Sequence, residues 1–300
     1  MFEGIYPPIP TPFDDAGALA LDRLAGNIEK WNSASTGASR LSGYVVLGSN
    51  GEAPHIALDE IGPLVAAARK AARQDMTVIA GTGQQGTLST IEATRRAADA
   101  GADAALIVTP FYFKGGMTAD ALKRHYLAVA DRSPVPVLIY NVPANTGFNI
   151  PPPVVPELAA HHNIVGIKDS AGDINQLAEL VRLTRGMAFE VLSGNFGALL
   201  PGMTFGVKAA ILAVANVAPS QCLALFEAAQ AGRWTEAGEL HLRLLPVARA
   251  VTSQFGVPGL KTALDLLGYF GGSPRGPLET ASGAVRDSIQ TILREAILLG

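Results

Sequence analysis

The sequence has a single cysteine, Cys222, in 300 residues. One cysteine cannot form an intrachain disulfide, and Cys222 has no histidine or second cysteine at the spacing of a zinc site. The five histidines are scattered except for the neighbours His161 and His162, which we interpret as structural. A disulfide-stapled fold is therefore excluded, and we expect neither a metal ion nor an organic cofactor.

Charged residues are also scarce. They make up 16% of the chain, against roughly 25% in an average globular protein, so much of the chain is expected to be buried. The net charge is -3, and lysine and arginine form no cluster or stripe along the sequence. Nucleic acid is therefore a poor candidate partner, and a small molecule is the expected ligand.

Long apolar runs are missing too. No run reaches the roughly 18 residues that a membrane-spanning helix needs. The first residues, MFEGI, carry neither the positive charge nor the long apolar stretch of a signal peptide. We therefore expect a cytoplasmic protein that does not bind membranes.

Short apolar runs, by contrast, recur eight times. The segments between them have helical spacing; one is introduced by Asp173 with Gln176 three residues later, the pattern of a capping box. Eight strand and helix units in succession predict an α/β fold, a closed (β/α)8 TIM barrel. The predicted strands cover residues 4–10, 43–48, 77–81, 104–109, 135–142, 164–168, 190–193 and 209–214.

An open nucleotide-binding sheet is the alternative α/β fold. No Walker A sequence is present, and the only run like a dinucleotide fingerprint, residues 81–86, follows the third strand and lacks an acidic partner. The barrel is therefore the better prediction.

From about residue 219 onward the pattern is helical only. We predict helices over residues 219–231, 235–255, 258–267 and 278–299, with glycine-rich breaks at 256–259 and 268–277. The predicted organisation is a barrel over residues 1–224 and C-terminal helices over residues 225–300 that pack on it.

The sixth predicted strand ends in a lysine, Lys168, which is unusual because lysine is almost never fully buried without a partner. One interpretation is structural: a salt bridge to Asp169, or a side chain that extends past the strand end into water. The other is catalytic: a nucleophilic amine that forms a Schiff base, which requires a desolvated, uncharged lysine. The residues around Lys168 decide between the two.

In a (β/α)8 barrel the C-terminal ends of the strands surround one mouth. Tyr140, at the end of the fifth strand, is the candidate acid/base for proton transfer at an imine; the alternative is a strand-end tyrosine with its hydroxyl in water. Ser49-Asn50-Gly51 offers backbone N–H groups to a substrate carboxylate; the alternative is an ordinary Asn-Gly turn. A lysine in such a mouth meets hydroxyl groups and few carboxylates, as an amine nucleophile requires.

Six segments at these strand ends carry a resemblance. In order along the chain they are Gly48-Ser49-Asn50-Gly51-Glu52, Val108-Thr109-Pro110-Phe111-Tyr112, Tyr140-Asn141-Val142-Pro143, Gly166-Ile167-Lys168-Asp169-Ser170, Ser193-Gly194-Asn195 and Ala215-Asn216. Over nearly its whole length the chain resembles the dihydrodipicolinate synthase and N-acetylneuraminate lyase family of pyruvate-dependent class I aldolases.

The resemblance implies a catalytic set. Lys168 would form the Schiff base with pyruvate, Tyr140 would transfer protons, and the Ser49-Asn50-Gly51 turn would hold the pyruvate carboxylate. In the synthases a tyrosine that matches Tyr112 crosses a subunit interface to complete a hydroxyl relay. Gly194 and Ile211 match backbone positions that line the pocket. The family also implies a homotetramer, a dimer of dimers, without metal or cofactor.

Departures from the family pattern bear on the substrate. The synthases of lysine biosynthesis carry an arginine shortly after the strand-five tyrosine, where this chain has Asn145, and an amide cannot replace a charged bidentate clamp on a carboxylate. The motifs look more like 4-hydroxy-2-oxoglutarate aldolase, with Asn145 at the substrate. Ser170 would then bond a substrate hydroxyl; the alternative is an ordinary residue at the entry to a helix. Arg275 and Lys114 are basic loop residues considered for a distal carboxylate.

The predicted function is therefore a carbon–carbon lyase that cleaves 4-hydroxy-2-oxoglutarate, or a similar 2-oxo-4-hydroxy acid, to pyruvate and an aldehyde. Two alternatives stay open. One is dihydrodipicolinate synthase (4-hydroxy-tetrahydrodipicolinate synthase), which condenses pyruvate with aspartate semialdehyde. The other is a barrel that binds pyruvate without catalysis and serves as a regulatory partner.

Overall fold

Eight short parallel strands form one sheet in the computed structural model, which describes residues 2–299. Consecutive strands are neighbours from β2 to β8, and β8 pairs with β1. An isolated parallel bridge between Pro8 and Val45 joins β1 to β2 and closes the sheet. The strands are β1 (Gly4–Tyr6), β2 (Gly43–Val46), β3 (Thr77–Gly81), β4 (Ala104–Val108), β5 (Val137–Asn141), β6 (Ile164–Asp169), β7 (Glu190–Ser193) and β8 (Ala209–Ile211).

Helices connect the strands and continue after the last one. The predicted (β/α)8 barrel with a helical extension is therefore confirmed. The helices are α1 (Leu21–Asn32), α2 (Ile61–Ala71), α3 (Thr87–Asp99), α4 (Ala119–Ala130), α5 (Pro143–Thr146), α6 (Val155–Ala159), α7 (Ile174–Leu183), α8 (Phe196–Thr204), α9 (Pro219–Gln230), α10 (Trp234–Arg249), α11 (Gly256–Leu266) and α12 (Gly283–Glu295). No helix within residues 2–299 is both long enough and apolar enough to cross a membrane.

The first strand is shorter than predicted. It ends at Tyr6 instead of residue 10, because Pro7, Pro8 and Pro10 have no N–H to donate to a neighbouring strand. The carbonyl of Pro7 still accepts from the N–H of Val45. The chain therefore stays against β2 without forming a regular ladder.

Side chains alternate between two cores along each strand, as the pleat of a strand dictates. One set fills the barrel interior and includes Val45, Ile79, Leu138 and Leu192, all fully buried. The opposite set packs under the surrounding helices, for example Ile139 and Ile167 against α4 and α7. The barrel interior is thus filled by packed side chains, and the strand ends that carry the site lie directly above this core.

The start of α7 follows the predicted capping pattern only in part. The carboxylate of Asp173 accepts from the N–H groups of Asn175 and Gln176, as predicted for an N-cap. The side chain of Gln176 does not reach back to the cap. It donates instead to Asp169 at the end of β6. A residue predicted to cap a helix thus forms a hydrogen bond with the strand that carries Lys168.

The C-terminal helices differ from the prediction at their ends. A π-helix, Ala250–Gln254, continues α10, and the glycine-rich segment at 256–259 forms the first turn of α11 instead of a break. Pro258 is tolerated there because first-turn N–H groups have no helical acceptor. The predicted final helix begins later, at Gly283, where the hydroxyl of Ser282 caps it.

The predicted division at residue 224 falls inside α9. The buried face of α9, with Leu223 and Phe226, belongs to the same core as the strands, so this helix completes the eighth strand and helix unit. We therefore place the proposed division after Gln230. Buried residues of α10 and α12, including Val247 and Leu293, join that core and pack on the barrel.

Candidate active site

Lys168 lies at the C-terminal end of β6 and is only 4% exposed. Its backbone is in register with Tyr140 on β5, and its Nζ lies 4.1 Å from the centroid of the Tyr140 ring. Ion pairs of lysine in residues 2–299 involve Lys123 and Lys261 only, so no carboxylate lies within 4 Å of the Lys168 amine. The amine is therefore buried, unpaired and beside a phenol.

Asp169 does not pair with Lys168. Successive strand residues face opposite sides, and the Asp169 Oδ1 accepts from Asn141 Nδ2 at 2.6 Å and from Gln176 Nε2 at 3.0 Å. Burial raises the pKa of this carboxyl group above its usual value, although these two hydrogen bonds oppose the shift. The structural interpretation of Lys168 as one half of a salt bridge to its neighbour is therefore wrong.

The amide groups around Asp169 form a network that the sequence analysis missed. Asn149 Oδ1 accepts from Asn141 and from Gln176, and Asn149 Nδ2 donates to Gln176 Oε1. The network joins β5, β6 and α7 behind the strand that carries Lys168. The position of Asn141 directly after Tyr140 in the sequence could have indicated that it lies near the site. Nothing in the sequence indicated this for Asn149 or Gln176.

Tyr140 reaches the loop after β2 through its hydroxyl. Its Oη lies 3.2 Å from Ser49 Oγ, within hydrogen-bonding distance. Tyr140 is 5% exposed, so its ring is buried while its hydroxyl lies on the wall of the cavity above Lys168. The structure thus brings together an amine, a phenol and a hydroxyl from β6, β5 and the β2 loop.

The Ser49 loop has an unusual backbone that is held on both sides. Leu47 and Glu52 adopt φ values of 57° and 56°, a left-handed region that costs non-glycine residues about 1 kcal/mol or more. Thr11 Oγ1 donates to the Gly51 carbonyl at 2.7 Å. Asn50 Nδ2 points to the Pro8 carbonyl at 3.4 Å. Side-chain and backbone contacts therefore offset the strain of the loop.

This loop leaves backbone donors free. The N–H groups of Ser49, Asn50 and Gly51 have no hydrogen-bond acceptor among residues 2–299. Ser49 and Asn50 also line the cavity that contains Lys168. Consecutive N–H groups in a turn suit an anion, so the loop can receive a carboxylate beside the amine.

A cavity of about 820 Å³ opens above Lys168, between the barrel mouth and the C-terminal helices. Its walls contain the other predicted pocket residues, Asn145, Ser170, Gly194 and Ile211. A smaller cavity of about 160 Å³ adjoins it and shares Ser49, Tyr140 and Asn145. The predicted site residues are therefore grouped around one space, with two exceptions: Tyr112, and Gly51, which is buried and lines neither cavity.

Ser170 and Gly194 meet closely next to Lys168. Ser170 Oγ is buried without a hydrogen-bond partner among residues 2–299, so it is available to a ligand. A Cβ on Gly194 would lie 2.0 Å from Ser170 Oγ and 2.9 Å from Lys168 Cε. Only glycine at position 194 leaves both side chains in place.

Tyr112 lies outside this group within one chain. Its side chain is 75% exposed and packs edge-on against Phe113, which is 76% exposed, at 4.9 Å between ring centroids. Gln85 Oε1 accepts from the N–H groups of Phe111 and Tyr112 and orders the loop that presents both rings. Of the three hydroxyls in the predicted relay, those of Ser49 and Tyr140 are in contact within one chain, and Tyr112 is at the surface.

The two basic loop residues are not placed to hold a substrate at this cavity. Arg275 forms two hydrogen bonds with Glu60, at 2.7 and 2.8 Å, and further bonds to the carbonyls of Gly17 and His55. Lys114 lines neither cavity. The suggestion that Arg275 clamps a distal carboxylate is therefore wrong. Within residues 2–299, histidine, cysteine, aspartate and glutamate form no group of three that could hold a metal ion.

Comparison with known proteins agrees with this geometry. The model of the dihydrodipicolinate synthetase family matches residues 1–296. A 4-hydroxy-tetrahydrodipicolinate synthase of Methanospirillum hungatei is 37% identical over 295 residues, which are 98% of this chain and 99% of the relative. One of Exiguobacterium sp. is 36% identical, over 98% of each chain.

Solved structures give the same result. Dihydrodipicolinate synthase from Thermotoga maritima superposes with a TM-score of 0.91 at 32% identity over 100% of both chains. The enzyme from Aquifex aeolicus has a TM-score of 0.90 at 31% identity over 99% of both. The family model and the relatives match almost the whole chain, and the structure places lysine, tyrosine and serine together at the barrel mouth. The chain therefore belongs to the dihydrodipicolinate synthetase family and is a class I aldolase, a carbon–carbon lyase.

Proposed function

We propose that this enzyme forms a Schiff base between Lys168 and pyruvate. The observation that carries the proposal is the Lys168 amine, buried without a carboxylate partner and 4.1 Å from the Tyr140 ring. An amine that no carboxylate holds is free to approach a ketone as a nucleophile. No other lysine of residues 2–299 lines the cavity.

The chemistry follows from that amine. Lys168 attacks the C2 carbonyl of pyruvate, and water leaves to give a protonated imine. Loss of a proton from C3 gives an enamine, whose C3 forms a bond to the carbonyl carbon of an aldehyde while the aldehyde oxygen takes up a proton. Hydrolysis then releases the product and restores the amine; cleavage is the same sequence in reverse.

Proton transfers at the imine need a group within hydrogen-bonding reach. We assign them to the hydroxyl of Tyr140, which shares one hydrogen bond with the Ser49 hydroxyl at 3.2 Å. The free N–H groups of the Ser49 loop bind the pyruvate carboxylate. Substrate and acid/base would then lie on the same side of the lysine.

For the aldehyde partner, aspartate semialdehyde has the better support. The relatives at 35–38% identity are named 4-hydroxy-tetrahydrodipicolinate synthase, so the condensation predicted as the alternative ranks above the cleavage of 4-hydroxy-2-oxoglutarate. The cleavage stays the second candidate. Asn145, uncharged at the cavity wall, and the unpartnered Ser170 hydroxyl, which suits a substrate hydroxyl, favour it.

Two assays on one preparation separate these candidates. In the first, pyruvate and aspartate semialdehyde are supplied and the condensation product is measured; in the second, pyruvate release from 4-hydroxy-2-oxoglutarate is followed. A kcat/KM at least 100-fold higher in the first assay supports the synthase, and the reverse supports the lyase. Tyr140→Phe serves as the control, because a rate that vanishes in this variant also excludes a barrel that binds pyruvate without turning it over.

We also propose that the enzyme is a homotetramer in which Tyr112 enters a neighbouring subunit. The exposed pair of aromatic rings at Tyr112 and Phe113 supports the proposal, since large exposed apolar patches commonly mark subunit contacts. Ser49 and Tyr140 both line the smaller cavity, which leaves space beside their hydroxyls for the hydroxyl of a neighbouring subunit's Tyr112.

A further inference from the structure

The large cavity extends well beyond the residues that would handle pyruvate. One wall is formed by Lys168, Tyr140 and Ser170 at the barrel mouth, and the opposite wall by the end of α10, the π-helix and the start of α11. Its volume of about 820 Å³ lies toward the upper end of the roughly 300–1,000 Å³ typical of sites for drug-sized ligands. Pyruvate alone would leave much of that space empty.

The cavity wall contains two basic residues and no acidic one. The basic residues are Lys168 and Arg249, and no aspartate or glutamate lines the cavity. Asn145, on the same wall, is uncharged and cannot take the place of a cation. Because Lys168 is the reacting amine, Arg249 is the permanent cation of this wall, and a cavity with a guanidinium and no carboxylate favours an anionic group at that end.

Arg249 is available for such a contact. It is the last residue of α10, is exposed and lines the cavity, and its side chain forms no hydrogen bond or ion pair within residues 2–299. The C-terminal arginines Arg233 and Arg275, by contrast, are engaged with Glu236 and Glu60. A planar guanidinium with unused donors is the group that best matches a carboxylate.

The backbone after Arg249 adds polar groups on the same side. The chain enters the π-helix, Ala250–Gln254, where Thr252 and Ser253 also line the cavity. Single π-turns inside helices occur frequently at functional sites. The Thr252 hydroxyl is bonded to the Ala248 carbonyl at 2.5 Å, which leaves Arg249 as the charged donor of this wall.

We propose that Arg249 binds the distal carboxylate of the substrate, so that the enzyme selects 2-oxo acids with a second carboxylate over their neutral counterparts. The inference rests on the proposed Schiff base at Lys168, which places the 2-oxo acid end of the ligand. It holds for both aldehyde candidates, because aspartate semialdehyde and glyoxylate each carry a carboxylate. The C-terminal helices thereby contribute a specificity-determining residue to a site on the barrel.

Trapping of the imine by borohydride tests the inference without any need for turnover. We would measure the concentration of 2-oxoadipate, and of its monoacid counterpart 2-oxohexanoate, that gives half-maximal trapping. The variants are Arg249→Gln and the control Arg243→Gln, an exposed arginine of the same helix that does not line the cavity. A charge-assisted hydrogen bond to a carboxylate contributes about tenfold or more in affinity.

In Arg249→Gln only, we expect the concentration of 2-oxoadipate that gives half-maximal trapping to increase by about tenfold or more. The corresponding concentration of 2-oxohexanoate should stay unchanged within twofold. Unchanged trapping of the diacid, or an equal shift for both acids, would overturn the inference while the Schiff base stands. Absence of trapping with pyruvate in the unmodified enzyme would instead overturn the proposed function. Trapping of the monoacid also reports that the variant is folded.

Discussion

At the scale of residues, the position of Lys168 depends on its neighbours along the strand and across it. Asp169 faces the amide network behind β6, so Lys168 faces the cavity. Tyr140 lies beside it on β5 in register. The amine therefore lies beside the phenol ring of Tyr140, with its Nζ 4.1 Å from the ring centroid, and is not paired with a carboxylate.

Gly194→Ala tests how tightly this arrangement is packed. The added Cβ would overlap Ser170 Oγ and press on Lys168 Cε, so we expect both side chains to move and kcat to fall by at least tenfold, since catalysis depends on sub-ångström placement. Steady-state kinetics measure the loss. Gly238→Ala, where the new Cβ meets nothing within 4 Å, is the matched control and should keep full activity. An active Gly194→Ala enzyme would show that the close approach is unimportant.

Residues adjacent in sequence or at strand ends were the ones that sequence reasoning placed well. Lys168, Tyr140 and Ser49 were predicted at one mouth, and the structure brings them together there. Asn149 and Gln176 were missed as neighbours of the lysine strand, because their contacts depend on how α7 and the β5 loop fold back. Arg249 was missed for the same reason: its helix is remote in sequence from every strand end.

At the scale of elements, a buried ion pair connects the C-terminal helices to the catalytic loop. Lys261 on α11 lies 2.8 Å from Glu52 at the end of the Ser49 loop, and both side chains are at most 1% exposed. Lys261 Nζ also donates to the carbonyls of Thr11 and Ser273. Desolvation lowers the pKa of Lys261, and the contact with Glu52 opposes this shift.

Lys261→Met should therefore lower the free energy of unfolding and loosen the Ser49 loop. Removal of Lys261 leaves the buried Glu52 carboxylate without its ammonium partner, in contact only with the His55 ring at 3.3 Å and the N–H of Arg275 at 2.8 Å. Loss of one member of a buried ion pair typically costs about 3–5 kcal/mol. Urea unfolding measures that loss, and the KM for pyruvate should rise because the strained Ser49 loop loses its anchor. The double variant Glu52→Gln with Lys261→Met should recover part of the stability. Equal stability of single variant and parent would contradict the assigned role of the pair.

Element boundaries were predicted best where local chemistry decides them. The strand ends were right at Thr77, Gly81, Glu190 and Ser193, and the Asp173 cap formed. The segment at 256–259 was predicted as a break from its glycines and proline, but it is the first turn of a helix. Packing of α11 against the barrel outweighs those local preferences, and only tertiary contacts reveal that.

At the scale of the whole molecule, one buried histidine couples stability to pH. His125 on α4 is 6% exposed, its Nδ1 lies 3.0 Å from Thr87 Oγ1, and burial lowers its pKa from 6.5 to about 4. The unfolded chain therefore binds a proton at a higher pH than the folded chain. The stability associated with the neutral ring is complete above pH 6.5 and is lost as the pH falls toward 4.

We expect His125→Gln to flatten the pH dependence of unfolding between pH 6.5 and 4. The full linkage corresponds to about 3 kcal/mol. Urea unfolding at several pH values measures it, with the exposed His162→Gln as the control that keeps the slope. A slope unchanged by His125→Gln would show that this ring does not stay neutral in the folded protein.

The assembly of several copies is expected to complete the hydroxyl relay. Tyr112→Ala removes the aromatic ring that would enter a pocket of the neighbouring subunit. We therefore expect the tetramer to dissociate to a smaller species in sedimentation velocity, kcat to fall by tenfold or more, or both. Leu242→Ala, also on the surface with 69% of its side chain exposed, is the control. A parent enzyme that is monomeric and fully active would contradict the assembly.

Whole-molecule architecture was the most predictable level, because eight strand and helix units in succession allow few topologies. The helical extension was also predicted from residue 219 onward. Its function was not predicted. Only the folded chain shows that α10, the π-helix and α11 form a wall of the cavity above Lys168.

The most direct test of the central claim is reduction with borohydride in the presence of pyruvate, followed by intact mass and peptide mapping. We predict one added 1-carboxyethyl group per chain, located on Lys168, and none in Lys168→Arg. No added mass, or a modified lysine at another position, would contradict the account.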